Sequence, residues 1–387
     1  MDIQGLRKRF DSIYHRSPSG AISAPGRVNL IGEHTDYNDG FVLPIAINRR
    51  TIALYAPRED RQVNVASCQG GPAVVSCELD KPIVPSDKSR WANYCRGVLA
   101  GLVARGLTLR GADMLFDSDV PLGGGLSSSA SLEVATALSM LAANGLDGAV
   151  SDGDLARLCQ KAEHEFAGAP CGIMDQSIVV MARSGHAMLL DCRSGQVRHV
   201  PFGNEGLVLL VADTQVKHAI SDGGYARRRE ECFAAAARLG LKSLRDASAE
   251  SVAQAGAEGK LAGKELMRAR HVVGEIERTL EACKALEAGD FASFGSLMYG
   301  SHASLREDYE VSCEELDAIV DSARSCPGVF GARMTGGGFG GCAIILARAD
   351  SAAATTAAVQ KAFAARFGRS CPIFATTAAN GAECHGI

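Results

Sequence analysis

Apolar and polar positions follow different patterns in the two halves of the chain. In the first half, strand-like and helix-like segments alternate. Residues 41–56 (FVLPIAINRRTIALYA) are β-like and lie between Gly40 and Pro57, residue types that commonly bound a strand. Residues 129–143 are mostly apolar and predict a buried helix, and residues 152–166 predict a second helix. The first half is therefore expected to mix strands and helices.

The second half begins after about residue 206, where the composition changes. Residues 207–213 (LVLLVAD) predict a buried strand, and a long helical region follows. Near the end of the chain, residues 342–347 and 371–376 predict strands, and residues 352–368 predict a helix between them. Further predicted elements are strands at 186–192 and 197–202 and helices at 225–241 and 270–289.

Two domains are the natural expectation for this length, because domains commonly contain about 100–200 residues. We place the first at 1–203 and the second at 204–387. Within the second, the polar, Ala- and Gly-rich stretch 246–265 is consistent with a mobile surface element, and nothing in it indicates chemistry.

Charge and cysteine usage exclude several classes of protein. The 387 residues carry a formal net charge of −4, which gives no support to nucleic-acid binding, because such proteins usually carry a basic surplus. No C-x-x-C spacing occurs among the 13 cysteines, so we expect reduced, mostly buried thiols rather than a zinc or redox motif. The N-terminus lacks the apolar region of a signal peptide, and no apolar run approaches the roughly 20 residues of a membrane span. We therefore expect a cytoplasmic protein that binds neither nucleic acid nor membrane.

A dense polar motif, GRVNLIGEHTDYN, occupies residues 26–38 between apolar segments. It places Arg27, Glu33, His34 and Asp36 within ten residues of one another. Acidic side chains accept hydroxyl hydrogens and histidine can donate or accept, so the motif is suited to a polyol pocket. A polar surface loop with an internal salt bridge would also explain this composition.

A glycine- and serine-rich motif, PLGGGLSSSAS, occupies residues 121–131 and leads directly into a predicted helix. Glycines let backbone N–H groups approach an anion, and the helix N-terminus adds unpaired donors and the positive end of its dipole. The serines supply hydroxyls for phosphate oxygens or a metal. The alternative is a flexible turn with a serine N-cap. The motif is not a Walker A loop, because the chain contains no G-x-x-x-x-G-K-[ST].

A third motif, MTGGGFGGC at residues 334–342, formally satisfies G-x-G-x-x-G through Gly336, Gly338 and Gly341. A dinucleotide-binding fingerprint would open a helix, whereas these glycines precede a predicted strand. We interpret the segment as a glycine-rich loop that lets the backbone pass close to a neighbouring site. A tight β-turn is the alternative.

Two carboxylates complete the candidate chemistry. Glu163 shares one face of its predicted helix with Leu155 and Cys159, and a carboxylate on an apolar face is rarely unpaired. Glu163 is therefore expected either to bind a metal or to pair with an arginine. Asp175 follows a Gly/Pro loop and is flanked by apolar residues, which would also suit a helix cap.

Taken together, the three motifs resemble those of the GHMP kinases, a family of small-molecule kinases. They occur in the family's order and span residues 26–342, and the first resembles the signature of the galactokinase branch. The resemblance implies an α/β (α+β) fold with a mixed-sheet N-terminal domain, an α+β C-terminal domain and an active site between them. The first motif departs from the pattern at Asp39, where many galactokinases have glycine, and we expect this to change only the local turn.

The resemblance also implies a role for each motif residue. Asp175 would be the catalytic base, and Arg27 would hold it and stabilise the transferring phosphoryl group. Mg²⁺ would be bound by Ser129 and Glu163. The sugar would be bound by Glu33, His34, Asp36, Gly172, Asp175 and Tyr225, and the ATP phosphates by Gly123, Gly124, Gly125, Leu126, Ser127, Ser128 and Ser129. The run Arg227–Arg229 after Tyr225 is expected to be a helix face.

The implied reaction is ATP-dependent phosphorylation of D-galactose at its C1 hydroxyl, giving galactose 1-phosphate and ADP, by a monomeric enzyme. A kinase for another sugar, such as N-acetylgalactosamine or arabinose, is a second hypothesis. A non-catalytic sugar sensor on the same fold is a third. Such a sensor would be expected to have a damaged phosphate loop or base, whereas Ser127–Ser131, Glu163 and Asp175 are all present.

Overall fold

The computed structural model of the protein describes residues 2–71, 73–203, 206–216 and 223–386. The strands within these residues are β1 (Gly20–Asn29), β2 (Phe41–Val42), β3 (Pro44–Pro57), β4 (Gln62–Ser67), β5 (Val75–Glu78), β6 (Ala112–Ser118), β7 (His186–Asp191), β8 (Val197–Pro201), β9 (Leu207–Asp213), β10 (Val329–Thr335), β11 (Cys342–Arg348), β12 (Ile373–Thr376) and β13 (Glu383–His385). The α-helices are α1 (Ile3–Tyr14), α2 (Ala92–Ala104), α3 (Ser128–Ala143), α4 (Asp152–Ala162), α5 (Met174–Met181), α6 (Gly224–Leu239), α7 (Ala249–Ala257), α8 (Gly263–Glu287), α9 (Phe291–Glu307), α10 (Glu314–Arg324) and α11 (Ala352–Phe367).

The described strands form three sheets. The largest has the order β13-β1-β3-β6-β4-β5; its β4–β6 pair is parallel and its other pairs are antiparallel. An antiparallel sheet of order β10-β11-β9-β12 lies in the second half, and β2, β7 and β8 form a small third sheet. The expected mixed sheet in the first half and α+β second half are confirmed. Strand β13 brings the end of the chain back to β1, next to the first-half core.

Each sheet is covered by helices on an apolar face. Helices α2, α3 and α4 pack on the largest sheet, with Leu99 and Val134 fully or almost fully buried among them. A second core lies between the sheet of the second half and its helices. A third core joins the two halves, since Val28 and Leu30 of the first half pack with Leu209 of the second. The division at 203/204 remains a proposal, because residues 204–205 lie outside the described residues.

The β-like segment 41–56 forms two strands, which are separated at Leu43. Its backbone N–H bonds to the carbonyl of Ile31 (3.1 Å) and to the side chain of Asn29 (3.2 Å). The chain changes sheets at this point, because β2 pairs with β7 while β3 pairs with β1. Pro44, which has no N–H to give to a ladder, begins β3.

The helix predicted at 152–166 ends as an α-helix at Ala162 and continues as a π turn, Glu163–Ala167. Single π turns inside helices often occur at functional sites. Glu163 is buried in this turn, and Leu155 and Cys159 are also buried, which fits the shared face predicted from their spacing.

The stretch 246–265, whose composition was consistent with a mobile surface element, has regular structure. Helix α7 begins with a capping box in which Ser248 and Ser251 each bind the other's backbone N–H. Val252 and Ala255 are buried against the second core. Two apolar anchors and a capped start are enough to order a short helix that is otherwise polar.

Two further expectations can be compared with the structure. All 13 cysteines are free, and Cys384 alone among them is exposed. Among the described residues, none of the helices combines the length and the apolar character that a membrane crossing needs.

Candidate active site

The three sequence motifs meet at one cleft of about 620 Å³. Its walls come from the loop after β1, the loop before α3, the turn before α5, the start of α6 and the loop between β10 and β11. With the exception of Gly124, every residue assigned to the site from the sequence lines this cleft. The structure therefore brings together residues that are up to about three hundred positions apart in the chain, from Arg27 to Gly341.

The loop before α3 presents backbone N–H groups to the cleft. Ser127 occupies the N-cap position with φ of 60°, but its side chain caps no helix N–H, so the simple capped-turn interpretation is wrong. The first-turn N–H groups of α3 thus keep their capacity to bind an anion. Gly123 and Gly125 adopt the left-handed conformation, with φ of 74° and 71°, which glycine allows at little cost.

The third motif packs directly on this loop. A Cβ on Gly336 would lie 3.0 Å from the carbonyl oxygen of Gly125, and a Cβ on Gly341 would lie 3.0 Å from that of Gly124. The strand β11 follows at once, so the expectation of a glycine-rich loop that approaches a neighbouring site is confirmed. Gly124 serves this backbone contact rather than the cleft surface.

Arg27 and Asp175 form a bidentate ion pair at the centre of the cleft. Arg27 Nε donates to Oδ1 of Asp175 at 2.8 Å, and Nη2 donates to Oδ2 at 2.7 Å. The third guanidinium nitrogen, Nη1, donates to the carbonyl of Gly125 at 2.5 Å. Asp175 lies in the first turn of α5 but caps no backbone N–H of that helix, so its alternative role as a helix cap is wrong. Ser127 also donates to Oδ2 of Asp175.

Glu163 faces the same cleft from the π turn. Its Oε2 accepts from Nε2 of Gln176 (2.7 Å) and from the thiol of Cys171 (3.5 Å), and its carboxyl also bonds to Ser129. No lysine or arginine of the described residues forms an ion pair with it. Burial, reinforced by the charge of Asp175, raises the pKa of Glu163 to about 7.

A second buried carboxyl, Glu133, lies behind Glu163 and was not identified from the sequence. It is fully buried on α3, and Nε2 of Gln176 donates to it at 3.1 Å as well as to Glu163. Burial, and then the charge of Glu163, raises the pKa of Glu133 well above its ordinary value. Glu133 follows Ser129 by four residues, so both lie on one face of the helix. This spacing is the sequence signal that could have identified Glu133.

The sugar-motif carboxylate Asp36 lies against Gly172. Oδ1 of Asp36 accepts from the N–H of Tyr37 at 3.0 Å, and Oδ2 lies 1.5 Å from where a Cβ on Gly172 would be. Burial, and then the charge of Asp175, raises the pKa of Asp36 to about 7. The ring of Tyr225, in the first turn of α6, lies 5.3 Å from that of Tyr37 and closes this end of the cleft.

His34 is neutral and its tautomer is fixed by its neighbours. Burial lowers the pKa of His34 to about 3. Nε2 lies 3.2 Å from the carbonyl of Gly337, which can only accept, so Nε2 carries the proton. Nδ1 therefore accepts from the hydroxyl of Tyr37 (2.8 Å), which in turn bonds to the hydroxyl of Tyr309 (2.8 Å).

Glu33 is fixed by four residues far away in the sequence. Its Oε1 accepts from Arg333 (3.3 Å) and from the N–H of Gly336 (2.7 Å), while its backbone carbonyl accepts from His271 (3.1 Å). Its N–H donates to Glu275, which also accepts from the N–H of Gly32 at 3.0 Å. The second half of the chain thus supports the sugar motif.

Glu275 is a buried carboxylate with charged partners. Burial alone would raise its pKa, but Arg278 and Arg333 outweigh this effect and lower the pKa to about 2. Nε of Arg278 lies 2.8 Å from Oε2, and Ser301 donates to Oε1 at 2.5 Å. Sequence patterns do not reveal Glu275, because the helix in which it lies contains many exposed charged residues.

The arginine run after Tyr225 does not form one uniform helix face. Arg228 is buried and donates to the carbonyl oxygens of Tyr309 and Glu310, at 2.6 and 2.9 Å. Arg227 is exposed and lines the cleft, whereas the guanidinium of Arg229 lies 5.2 Å from the ring centre of Phe233.

Asp39, the position that departs from the family pattern, has φ of 57°, a conformation that glycine adopts freely and aspartate tolerates. Its carbonyl accepts from Arg245 at 2.6 Å. The change is therefore accommodated within the local turn.

Comparison with known proteins agrees with this geometry. The chain matches the Galactokinase galactose-binding signature over residues 8–57, the GHMP kinases N terminal domain over 93–183 and the GHMP kinases C terminal domain over 282–365.

Similar proteins cover nearly the whole chain. It is 44% identical to a galactokinase of Homo sapiens over 97% of its length and 95% of that protein. It is also 44% identical to one of Chloroflexus aurantiacus, over 99% and 98% of the two chains. The structure matches that of Lactococcus lactis galactokinase complexed with galactose with a TM-score of 0.94, 33% identity and coverage of 99% and 100%. The chain therefore belongs to the galactokinase branch of the GHMP kinase family.

Proposed function

We propose that this protein transfers the γ-phosphoryl group of ATP to the C1 hydroxyl of D-galactose. The observation that carries the proposal is the position of the Arg27–Asp175 pair. It lies between the loop that precedes α3, which suits phosphates, and the pocket of Asp36 and Tyr225, which suits a polyol. A hydroxyl bound in that pocket and a phosphate bound at the loop would meet at Asp175.

The pocket residues bind and orient the sugar. Asp36 and Glu33 offer carboxylate oxygens to sugar hydroxyls, and the two carboxylates lie three positions apart in one loop. Gly172 leaves space for Asp36, and Tyr225 with the neutral His34 shapes the wall. A pocket of buried polar groups discriminates strongly against sugars that leave those groups unpaired.

Asp175 and Arg27 act on the reacting atoms. The C1 oxygen of the sugar bonds to the γ-phosphorus, and the bond from that phosphorus to the bridging oxygen of ADP breaks. Asp175 accepts the proton that the C1 hydroxyl loses. The two hydrogen bonds from Arg27 keep the carboxylate in one orientation. The guanidinium also places positive charge where negative charge develops on the phosphoryl oxygens.

Glu163 and Ser129 fit a magnesium site. They supply a carboxylate and a hydroxyl, oxygen ligands of the kind that Mg²⁺ prefers, and Glu163 forms no ion pair with a basic side chain among the described residues. When bound there with the nucleotide, Mg²⁺ would neutralise phosphate charge. The hydrogen bond from Gln176 would keep Glu163 oriented toward the ion.

The test is ATP consumption with a panel of sugars: galactose, glucose, N-acetylgalactosamine and arabinose. We expect ADP release only with galactose, and a ³¹P spectrum of the product that identifies galactose 1-phosphate. Equal turnover of glucose would contradict the assignment. Binding of galactose and ATP by calorimetry without any turnover would instead indicate a sugar sensor.

A further inference from the structure

The hydroxyl of Ser127 points at the carboxylate of Asp175 rather than at the helix α3, which Ser127 precedes. It donates to Oδ2 of Asp175, is 7% exposed, and makes no capping bond to α3. Its backbone has φ of 60°, which costs a residue with a side chain about 1 kcal/mol or more relative to ordinary conformations. A glycine would avoid that cost and would be the residue expected if only the backbone of this position mattered.

The hydrogen bonds of the carboxylate leave one oxygen with a free acceptor site. An ionised carboxylate has about four lone-pair sites, two on each oxygen. Among the described residues, Oδ2 of Asp175 accepts from Arg27 Nη2 and from Ser127, whereas Oδ1 accepts from Arg27 Nε and lies 2.7 Å from Nη2, which donates to Oδ2. The remaining site is therefore on Oδ1, and Asp175 is 20% exposed on the side of the cleft.

The hydroxyl of Ser127 has a single proton, so while it donates to Asp175 it cannot also donate to a phosphate oxygen. Its neighbours in the loop are tied to the same pair. The carbonyl of Gly125 accepts from Nη1 of Arg27, and the carbonyl of Leu126 accepts from the backbone N–H of Arg27 at 3.0 Å. Three consecutive loop residues thus contact Arg27 or Asp175.

We propose that Ser127 is a positioning residue for Asp175: by occupying Oδ2 it directs Oδ1 to the acceptor hydroxyl, and it links the conformation of the phosphate loop to the orientation of the base. The inference rests on the proposed function, because it gives Asp175 the role of base. It differs from a role of the Ser127 side chain in binding ATP.

A double-mutant cycle tests this link. Ser127→Ala and Ser127→Gly are each made in the native chain and in Asp175→Asn, and kcat, the galactose KM and the affinity for a non-hydrolysable ATP analogue are measured. Ser139→Ala is the control, because Ser139 is a fully buried serine of the same helix whose hydroxyl has no partner among the described residues. Its kcat should match that of the native enzyme.

We expect Ser127→Ala to lower kcat at least about tenfold in the native chain and less than about twofold in the Asp175→Asn background, because residues that act through one another are not additive. Ser127→Gly should lose the same kcat while unfolding at a higher temperature than Ser127→Ala, since glycine relieves the strain. Nucleotide affinity should be unchanged. Equal losses of kcat in both backgrounds, or a loss confined to nucleotide affinity, would overturn the proposal.

A crystal structure of Ser127→Ala without substrates separates this inference from the assigned reaction. We expect the carboxylate of Asp175 to rotate or to adopt two orientations once Ser127 no longer holds Oδ2. An unchanged carboxylate would contradict the positioning role even if the enzyme phosphorylates galactose. A protein that phosphorylates none of the sugars would contradict the proposed function, whatever the orientation of Asp175.

Discussion

The carboxylate of Asp36 occupies the space that a side chain on Gly172 would need. A Cβ on Gly172 would lie 1.5 Å from Oδ2 and 2.0 Å from Cγ of Asp36, far inside van der Waals contact. Glycine is thus required at position 172 by its neighbour rather than by its own backbone, which is not in the positive-φ region.

Gly172→Ala should displace Asp36 and weaken the sugar site. We expect the galactose KM to rise at least about tenfold, because a displaced carboxylate forfeits hydrogen bonds worth about 1–3 kcal/mol in a buried site. The KM for ATP should change little. Asp36→Ala should show a similar loss, and the double variant should lose no more than Asp36→Ala alone. Full additivity would show that Gly172 acts independently of Asp36.

The raised pKa of Asp36 predicts a pH dependence of stability. Its ordinary value of 3.8 rises to about 7 in the folded protein, so between these values the folded state holds a proton that the unfolded chain releases. This contribution is fully present below pH 3.8 and is lost as the pH rises through about 7. We expect the unfolding free energy of the native protein, relative to Asp36→Asn, to fall with increasing pH.

The comparison with the variant is essential, because His34 and His271 have lowered pKa values and give the opposite slope below their ordinary value. Urea unfolding at about pH 5 and about pH 8 measures the difference. A constant difference between the native protein and Asp36→Asn would contradict the shift of Asp36.

Glu163 predicts a release of protons when metal and nucleotide bind. With a pKa of about 7, it is about half protonated at neutral pH, and binding Mg²⁺ would require the ionised form. Calorimetry of Mg·ADP binding in two buffers of different ionisation enthalpy should therefore detect about half a proton released. The release should be absent in Glu163→Gln and retained, with weaker Mg²⁺ binding, in Ser129→Ala. Equal release by the native protein and Glu163→Gln would exclude Glu163 as its source.

The hydrogen bonds of Glu275 to the sugar-binding loop predict that the second half of the chain controls the affinity for galactose. Glu275→Gln should weaken the hydrogen bonds to the N–H groups of Gly32 and Glu33 and leave Arg333 with one carboxylate partner, Glu33, instead of two among the described residues. We expect a higher galactose KM, by about 5- to 100-fold for about 1–3 kcal/mol, and a lower unfolding temperature.

Glu281→Gln is the matched control for Glu275→Gln, because Glu281 lies on the same helix, is exposed and pairs only with Lys284 among the described residues. Glu281→Gln should leave the galactose KM and the unfolding temperature unchanged. A drop in kcat with an unchanged galactose KM in Glu275→Gln would contradict its link to the sugar loop.

Short-range features of the site could be predicted from the sequence. The long-range contacts that hold the site in place could not. Gly123, Ser129 and Asp175 lie in motifs whose residue types already specify a glycine-rich loop, a helix start and a carboxylate. Glu275 and Arg333 contact Glu33 across 242 and 300 positions of the chain, and periodicity does not encode contacts of this range.

The break at Leu43 was missed for a related reason. Local propensity favours one long strand, but the chain changes sheets there to pair with β7, almost 150 residues later. The bond from Ser127 to Asp175 is likewise a tertiary contact that the serine-rich pattern alone cannot assign.

Asp175→Asn is the substitution on which the mechanism most depends. Asparagine has the same shape but carries no charge and turns one of its two acceptor atoms into a donor. One of the two hydrogen bonds from Arg27 is therefore lost, and the proton of the sugar hydroxyl has no base to receive it. We expect kcat to fall at least about 100-fold, the low end for a positioned acid–base group.

Binding of galactose and ATP should stay within about tenfold of the native values, because the pocket of Asp36 and the loop before α3 are unchanged. The unfolding temperature should confirm that the variant is folded, since Asp175 is partly exposed and its helix α5 does not depend on it for capping. A folded Asp175→Asn protein with nearly native kcat would show that Asp175 only pairs with Arg27, and that the hydroxyl loses its proton directly to phosphate or water.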